Sequence, residues 1–148
     1  MKECIVVPIK TTNKRLPGKT FRPLAGKPLY SYLFTTLKKI LSSGEVERIY
    51  IYSSDEEVLN LAREWGFSPV KQPPEYDANT SVTGDFLIEK MSSHLEPYDL
   101  IGMFHITSPF LSEDTIQRSL EIMRKNPELD SLLGVVPRYN RFWYNGEP

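Results

Sequence analysis

A chain of 148 residues, of which 40% are hydrophobic and 25% are charged, has the size and composition of one globular domain. Its single cysteine, Cys4, excludes an intramolecular disulfide framework. The apolar run that follows ends at Lys10, too soon for a signal peptide, and no run is long enough to span a bilayer. We therefore expect one cytoplasmic domain over residues 1–148, without a membrane partner.

The net charge of −1 conceals an uneven distribution of charged residues. Residues 1–27 carry seven of the 18 Lys and Arg residues but one of the 19 Asp and Glu residues. This basic excess indicates an anion-binding site near the N-terminus, and a solvated basic loop is the alternative. Because the excess is confined to one loop without an aromatic stacking platform, we expect no nucleic-acid partner.

The first predicted element is a strand over residues 4–9, a continuous apolar run typical of a central strand that is buried on both faces. Residues 10–27 are polar, basic and interrupted by Pro and Gly, which predicts a long loop. Pro28 suits the first position of a helix, whose apolar residues recur at helical spacing as far as Leu41. Gly44 then provides a C-terminal cap.

The middle of the chain continues this alternation. A short strand over 48–52 leads to a helix that Ser54 or Asp55 caps and Gly66 ends. A brief strand over 67–70 is predicted next. It is followed by a loop that extends to Asn79 and contains two adjacent prolines, and by a third helix with apolar positions between Phe86 and Leu95.

The last predicted elements are a buried strand over 99–106, a helix from Ser112 to about Arg124, and an apolar strand over 131–136. Beyond these, three consecutive aromatic residues at 142–144 are followed by no closing helix. We therefore expect the fold to be incomplete at the C-terminus.

Strands that alternate with helices predict an α/β fold, with a Rossmann-like, doubly wound, mainly parallel sheet in a three-layer αβα arrangement. Ligands of such sheets bind beyond the carboxyl ends of the strands, where the strand order reverses. The loops after Ile9, Tyr52, Val70 and Phe104 are therefore the candidate site loops.

The loop after the first strand differs from two common phosphate-binding designs. Gly18-Lys19-Thr20 is similar to the end of a Walker A loop, but Asn13 stands where that pattern has glycine. Arg22-Pro23 also interrupts the helix that the pattern needs, and no G-x-G-x-x-G fingerprint is present. What remains is a loop with four cations that could converge on one nucleoside triphosphate: Lys10, Lys14, Arg15 and Lys19.

Three motifs follow one another within the first 29 residues: Val7-Pro8-Ile9-Lys10, Asn13-Lys14-Arg15-Leu16-Pro17-Gly18-Lys19-Thr20 and Pro23-Leu24-Ala25-Gly26-Lys27-Pro28-Leu29. Together they resemble the opening of the cytidylyltransferases that activate sialic acid and related sugar acids, the N-acylneuraminate cytidylyltransferase family. The resemblance continues in register at Tyr52-Ser53-Ser54-Asp55-Glu56-Glu57, at Pro74-Glu75 with Asn79-Thr80, and at Thr107-Ser108-Pro109-Phe110. It implies the nucleotide-diphospho-sugar transferase type of α/β fold.

The chain departs from the family pattern at several positions. Lys10 replaces an arginine, which keeps the charge but loses the bidentate fork. Thr11-Thr12 replaces a glycine pair, and Thr20 replaces an asparagine that contacts the base or the ribose. Gln72 replaces an arginine, for which the neighbouring Lys71 could compensate. His105 replaces a glutamine. These departures predict a divergent branch whose acceptor differs from sialic acid.

The resemblance assigns roles to individual residues. Lys10 and Lys19 would be catalytic, by stabilising charge on the α-phosphate. The nucleotide would be bound by these two lysines together with Pro8, Ile9, Thr11, Asn13, Lys14, Arg15, Thr20, Lys71, Gln72, Thr80, Ser81 and Thr83. The acceptor would contact His105, Thr107 and Ser108. Read alone, the hydroxyls at 80–83 would be a helix N-cap cluster and His105 a hydrogen-bonded wall residue.

The implied reaction transfers CMP from CTP to a 2-keto sugar acid and releases pyrophosphate, with Mg²⁺ bridging the phosphates in a homodimeric enzyme. The metal ligands are unknown, because the family's aspartate pair comes later than anything that matches here. We therefore expect weak pyrophosphate release from this chain alone. The alternatives are a cytidylyltransferase for another acceptor, such as a Kdo-like sugar or a phosphonate, and a non-catalytic CTP-binding fragment.

Overall fold

The computed structural model describes residues 1–12, 16–73 and 84–136, with the side chains of 84–88 left out. From α1 onward, helices and strands alternate along the described chain, as predicted. In chain order they are β1 (Glu3–Pro8), β2 (Pro23–Leu24), β3 (Lys27–Pro28), α1 (Leu29–Ser42), β4 (Arg48–Ser53), α2 (Glu56–Glu64), β5 (Ser68–Lys71), α3 (Gly84–Leu95), β6 (Leu100–Met103) and α4 (Glu113–Lys125).

The main sheet has the strand order β5-β4-β1-β6, and every neighbouring pair in it is parallel. β1 is central, as its continuous apolar run predicts, and its first five residues are fully buried. From β1 the chain moves outward through β4 to β5, and then returns to place β6 on the other side of β1. The strand order therefore reverses between β1 and β6, the position where open parallel sheets bind ligands.

Both faces of the sheet are covered, because successive side chains of β1 point to opposite faces. Ile5 and Val7 belong to a core that α1, α2 and α4 cover, whereas Cys4 and Val6 belong to a second core that α3 covers. The predicted doubly wound, three-layer α/β fold is confirmed. No helix within the described ranges is long and apolar enough to cross a membrane.

The helix boundaries follow local signals in the sequence. The side chain of Asp55 accepts a hydrogen bond from the Glu57 N–H at 2.9 Å, which identifies Asp55 as the cap of α2. Ser112 caps α4 in the same way, accepting from the Thr115 N–H at 3.1 Å. Gly44 has a positive φ of 77° just beyond α1, so its predicted capping role is confirmed.

The predicted loop over 10–27 contains an antiparallel hairpin of β2 and β3 that the sequence analysis missed. Its two-residue turn is Ala25-Gly26, with φ of 47° and 82°. Positive φ at both turn residues matches the twist of a two-residue hairpin. The Tyr32 hydroxyl of α1 donates to the Leu24 carbonyl, so the hairpin is attached to the helix that follows it.

The predicted strand over 131–136 is wrong for the described structure. This segment has no regular structure, and its apolar side chains are largely exposed, with Leu133 at 79% and Val135 at 83%. Apolar composition favours a strand only where a neighbour supplies ladder hydrogen bonds, and no described strand lies beside it. β6 is likewise shorter than predicted and half-buried, because in the described sheet it is an edge strand.

Candidate functional site

The carboxyl ends of the four parallel strands meet at one edge of the sheet. The Ile9 N–H donates to the Tyr52 carbonyl at 2.9 Å, and the Phe104 N–H donates to the Val6 carbonyl at 3.1 Å. These bonds hold the exits of β4 and β6 on either side of the exit of β1. Three of the four predicted loops therefore border the position where the strand order reverses.

Two predicted lysines and the predicted histidine belong to this edge. Lys10 lies two residues beyond the end of β1 and is half-buried, as is Lys19 in the loop beyond it. His105 lies two residues beyond β6. Lys19 is near enough to His105 for its charge to lower the pKa of the imidazole. The structure thus brings the loop that follows β1 together with the residue that follows β6.

The segment that carries Lys19 is a series of tight turns. The Lys19 N–H donates to the Leu16 carbonyl at 3.3 Å, and the Arg22 N–H donates back to the Lys19 carbonyl at 3.3 Å. The Tyr30 N–H of α1 donates to the Thr20 carbonyl at 3.2 Å, which ties the turns to the first helix. Lys19 is therefore presented by backbone that hydrogen bonds hold on both sides.

Among the described residues of the loop, Thr20 is the most buried of the predicted nucleotide-binding side chains, with 1% of its surface exposed. Its hydroxyl is buried and has no hydrogen-bond partner in the part of the chain that the structure describes. A buried hydroxyl without a partner is unfavourable by about 1–3 kcal/mol, so natural proteins seldom retain one without a reason. This hydroxyl keeps its full hydrogen-bonding capacity next to Lys19.

His105 differs from its prediction as the end of a buried strand, since the side chain is exposed. Its pKa lies below the ordinary histidine value, first because neighbouring protein atoms partly desolvate the ring and second because Lys19 contributes positive charge. The imidazole is consequently neutral near pH 7. Its position follows from packing, because β6 ends where Phe104 turns its ring into the first core.

Gly102 of β6 is a site-forming residue that the sequence analysis missed. A Cβ at this position would lie 3.0 Å from the Phe104 ring and 3.4 Å from the Ile5 side chain. Glycine therefore lets the Phe104 ring lie across the strand immediately before His105. An isolated glycine inside a strand pattern was the available signal for such a close approach.

Lys71 and Gln72 lie at the opposite edge of the sheet from His105. β5 is two strands from β1, about 10 Å at the usual spacing between strands. Lys71 donates to the Ser54 carbonyl at 2.8 Å and forms an ion pair with Glu56 at 2.6 Å, which holds the pKa of the Glu56 carboxyl below its usual value. Gln72 is buried, and its N–H donates to the Ser53 carbonyl. Lys71 therefore lies two strands away from β1, the strand that Lys10 follows.

The remaining predicted site residues divide into three groups. Ile9 is buried in the first core, so only its backbone faces the edge, while Pro8 and Thr11 are half-buried. Thr107 and Ser108 are exposed in a turn in which the Ser108 N–H donates to the His105 carbonyl at 3.0 Å. The third group lies outside the described residues: Asn13, Lys14, Arg15, Thr80, Ser81 and Thr83.

The fold and this edge define a class of protein, an α/β protein with a basic loop where its strand order reverses. Residues 4–140 match the model of the family described as "Cytidylyltransferase", and the chain belongs to that family. The fold and family expected from the sequence motifs are thereby confirmed.

Curated relatives agree with this assignment. A pseudaminic acid cytidylyltransferase from Campylobacter jejuni is 28% identical over 85% of this chain and 55% of its own length. An N-acylneuraminate cytidylyltransferase A from Danio rerio is 28% identical over 88% of this chain and 29% of its own length. The chain thus spans about half of the first relative and under a third of the second.

Solved structures share the fold. A CMP:2-keto-3-deoxy-manno-octonic acid synthetase complexed with CTP superposes with a TM-score of 0.69 and 23% identity, covering 87% of this chain and 50% of its own. A cytidylyltransferase from Leptospira borgpetersenii has a TM-score of 0.65 at 16% identity. At these identities the likeness concerns the fold alone.

Replacing Lys19 with alanine is expected to weaken CTP binding by about 1–3 kcal/mol, the range for a charge-assisted contact. Lys14→Ala should have a smaller effect, because Lys19 follows the rigid-then-flexible pair Pro17-Gly18. Titration calorimetry measures both. The matched control is Lys27→Ala, which removes the same charge from an exposed position on the β3 hairpin strand. Equal losses at all three positions would mean that the loop acts only as a diffuse basic surface.

Proposed function

We propose that the protein transfers CMP from CTP to a 2-keto sugar acid and releases pyrophosphate. The observation that carries the proposal is the placement of half-buried Lys10 and Lys19 at the reversal of strand order in a chain of the cytidylyltransferase family. The names of the curated relatives support a sugar-acid acceptor, since they include pseudaminic acid and N-acylneuraminate cytidylyltransferases.

In the proposed mechanism the protein acts mainly by positioning and charge neutralisation. A nucleoside triphosphate carries about four negative charges, and phosphoryl chemistry is accelerated chiefly by stabilising the charge on its oxygens. Lys10 and Lys19 take the α-phosphate, while Lys14 and Arg15 hold the β- and γ-phosphates. The acceptor oxygen attacks the α-phosphorus, the bond to the bridging oxygen breaks, and pyrophosphate leaves within reach of the same cations.

The nucleotide's remaining contacts are assigned by position. Thr20 offers its buried, unpartnered hydroxyl to the base or ribose. Gln72 and the hydroxyls of Thr80, Ser81 and Thr83 contact the cytosine. Lys71 would have to leave its ion pair with Glu56 to contact the nucleotide. The acceptor lies against His105, Thr107 and Ser108.

Mg²⁺ is proposed as the cofactor from the family resemblance. Among the described residues, no group of three or more His, Cys, Asp or Glu side chains could hold a metal ion. The described residues therefore supply no cluster of three such ligands, and no step of the mechanism is routed through a metal.

Two alternatives concern the acceptor and the activity. A Kdo-like acceptor is favoured by a 3-deoxy-manno-octulosonate cytidylyltransferase from Hydrogenovibrio crunogenus, which is 29% identical over 54% of this chain. A phosphonate would be another acid of similar charge. The alternative that concerns activity is a non-catalytic CTP-binding role, which CTP binding without pyrophosphate release would identify.

We expect CTP to bind more tightly than ATP, GTP or UTP in calorimetric titrations with Mg²⁺ present. The pyrimidine is expected to be selected by polar groups of the loop over 72–83, since groups that pair with one base are left unpaired by another. Pyrophosphate release with a panel of sugar acids then identifies the acceptor. Equal affinity for purine triphosphates would remove the cytidylyl assignment while leaving a general anion site.

We further propose that the chain forms a single cytidylyltransferase domain, that it acts in the cytoplasm and that it is a homodimer. Its one cysteine is buried, as expected of a reduced thiol, and burial raises its pKa to about 12, so it is inert near neutral pH. The exposed apolar side chains of 132–136 support self-association, which sedimentation measures directly.

A further inference from the structure

His105 combines a neutral imidazole with unused hydrogen-bonding capacity at the candidate site. Within the described ranges, neither ring nitrogen bonds to another protein group, although the Ser108 N–H donates to the His105 backbone carbonyl. The side chain is exposed two residues beyond β6, on the side of β1 where the strand order reverses, and Lys19 lies close enough to act on it electrostatically. Both ring nitrogens are therefore open to a ligand that binds at this edge.

From this geometry we propose that His105 is the base that takes the proton from the acceptor hydroxyl as that oxygen attacks the α-phosphorus of CTP. The inference rests on the proposed function, since it needs CTP and a hydroxyl acceptor. An imidazole can both hydrogen-bond the acceptor and accept its proton, whereas a glutamine amide could only hydrogen-bond it.

The step balances without any further reactant. The acceptor O–H bond breaks and its proton moves to an unprotonated ring nitrogen of His105. The oxygen forms a bond to the α-phosphorus while the bond between that phosphorus and the β-bridging oxygen breaks. Pyrophosphate departs with the bonding pair, and the imidazolium then returns its proton to solvent or to the departing pyrophosphate.

The electrostatic surroundings suit this role. Desolvation and the Lys19 charge hold the pKa of His105 below its ordinary value, and no described carboxylate is among the groups that shift it. The ring is therefore ready to accept a proton at neutral pH. When the triphosphate neutralises Lys19, the repulsion is removed and the pKa of His105 rises, which strengthens the base in the complex.

The pH profile supplies a signature that simple binding would not produce. The acid limb of kcat/KM reports the free protein, and the acid limb of kcat reports the complex. We expect the acid limb of kcat to lie at a higher pH than that of kcat/KM. The bound phosphate offsets the Lys19 charge and so raises the pKa of His105 in the complex. NMR titration of the His105 imidazole in the 148-residue chain, without and with CTP, should give the same two pKa values as the two kinetic limbs. The variant Lys19→Met should raise the pKa measured without CTP.

The test compares His105→Gln with His94→Gln, the chain's other histidine, which is exposed on α3. We expect His105→Gln to lower acceptor-dependent pyrophosphate release by about 10²-fold or more and to abolish the acid limb. CTP affinity should be retained, and His94→Gln should match the parent.

Parent-level release by His105→Gln with an unchanged acid limb would overturn the inference and leave the proposed function standing. Absence of acceptor-dependent release from the parent chain would instead overturn the proposed function, and the inference with it. A loss in kcat by His105→Gln with the acid limb retained would assign the residue to orientation alone, against the inference.

Discussion

Replacing Phe34 with alanine is expected to lower the free energy of unfolding by about 4 kcal/mol, within the range for removing a buried aromatic side chain. Phe34 is 1% exposed, and its ring centroid lies 5.2 Å from those of Tyr30 and Phe67 and 5.7 Å from that of Trp65. All three contacts are edge-to-face, the geometry that adds to area burial. The deletion would leave a cavity that several rigid rings cannot fill.

The same substitution is also expected to lower the affinity for CTP at the candidate site. Tyr30 contacts Phe21 edge to face at 6.0 Å, and its N–H holds the Thr20 carbonyl beside Lys19. Urea unfolding monitored by circular dichroism measures the stability, and calorimetry measures the CTP affinity. Phe34→Leu, which keeps most of the volume, is the control. If Phe34→Ala lowered the free energy of unfolding by less than about 1 kcal/mol and left the CTP affinity unchanged, the aromatic cluster would not anchor the loop.

The second large effect is expected for Arg124→Met, with a loss of about 3 kcal/mol. Arg124 of α4 donates to both carboxylate oxygens of Glu3 at 2.6 and 2.8 Å, and also to the carboxylate and carbonyl of Glu45. Glu3 is 4% exposed, so removing its partner leaves a buried charge uncompensated. We place the loss at the low end for buried pairs because the Arg124 side chain is 34% exposed.

Arg118→Met is the matched control, since Arg118 is exposed on the same helix. Its effect should stay within about 0.5 kcal/mol, as is usual at the surface. The double variant Glu3→Gln with Arg124→Met should recover part of the loss, because the buried charge is then gone. Equal losses in the two single methionine variants would contradict the assigned role of the Glu3 pair.

Much of the fold could be predicted because its signals are local. The continuous apolar run at 4–9 predicts a central strand, and the caps at Asp55 and Ser112 satisfy backbone groups two and three residues away. The run at 131–136 carries the same apolar signal and forms no strand among the described residues. Whether such a run becomes a strand depends on a neighbour that local composition does not specify.

The candidate site was predictable only in part, for a related reason. The lysines of the first loop were identified by their position after a central strand, and this placement holds. Lys71 was grouped with them because the resemblance made it a substitute for the arginine replaced by Gln72, yet its ammonium forms an ion pair with Glu56 at the β5 edge of the sheet. Gly102 was not identified, because the ring that crowds it becomes visible only once β6 is packed beside β1.

By itself, the sequence determined the family, the alternation of strands and helices, and the basic loop after the first strand, because each depends on residues close together in the chain. Only the tertiary structure decided which strands border β1, and hence that His105 rather than Lys71 accompanies Lys19. It also decided that Glu3 pairs with Arg124, 121 residues away. Such choices depend on how helices cross over and pack on the sheet, since long-range contacts are selected by burial and geometry rather than by local pattern.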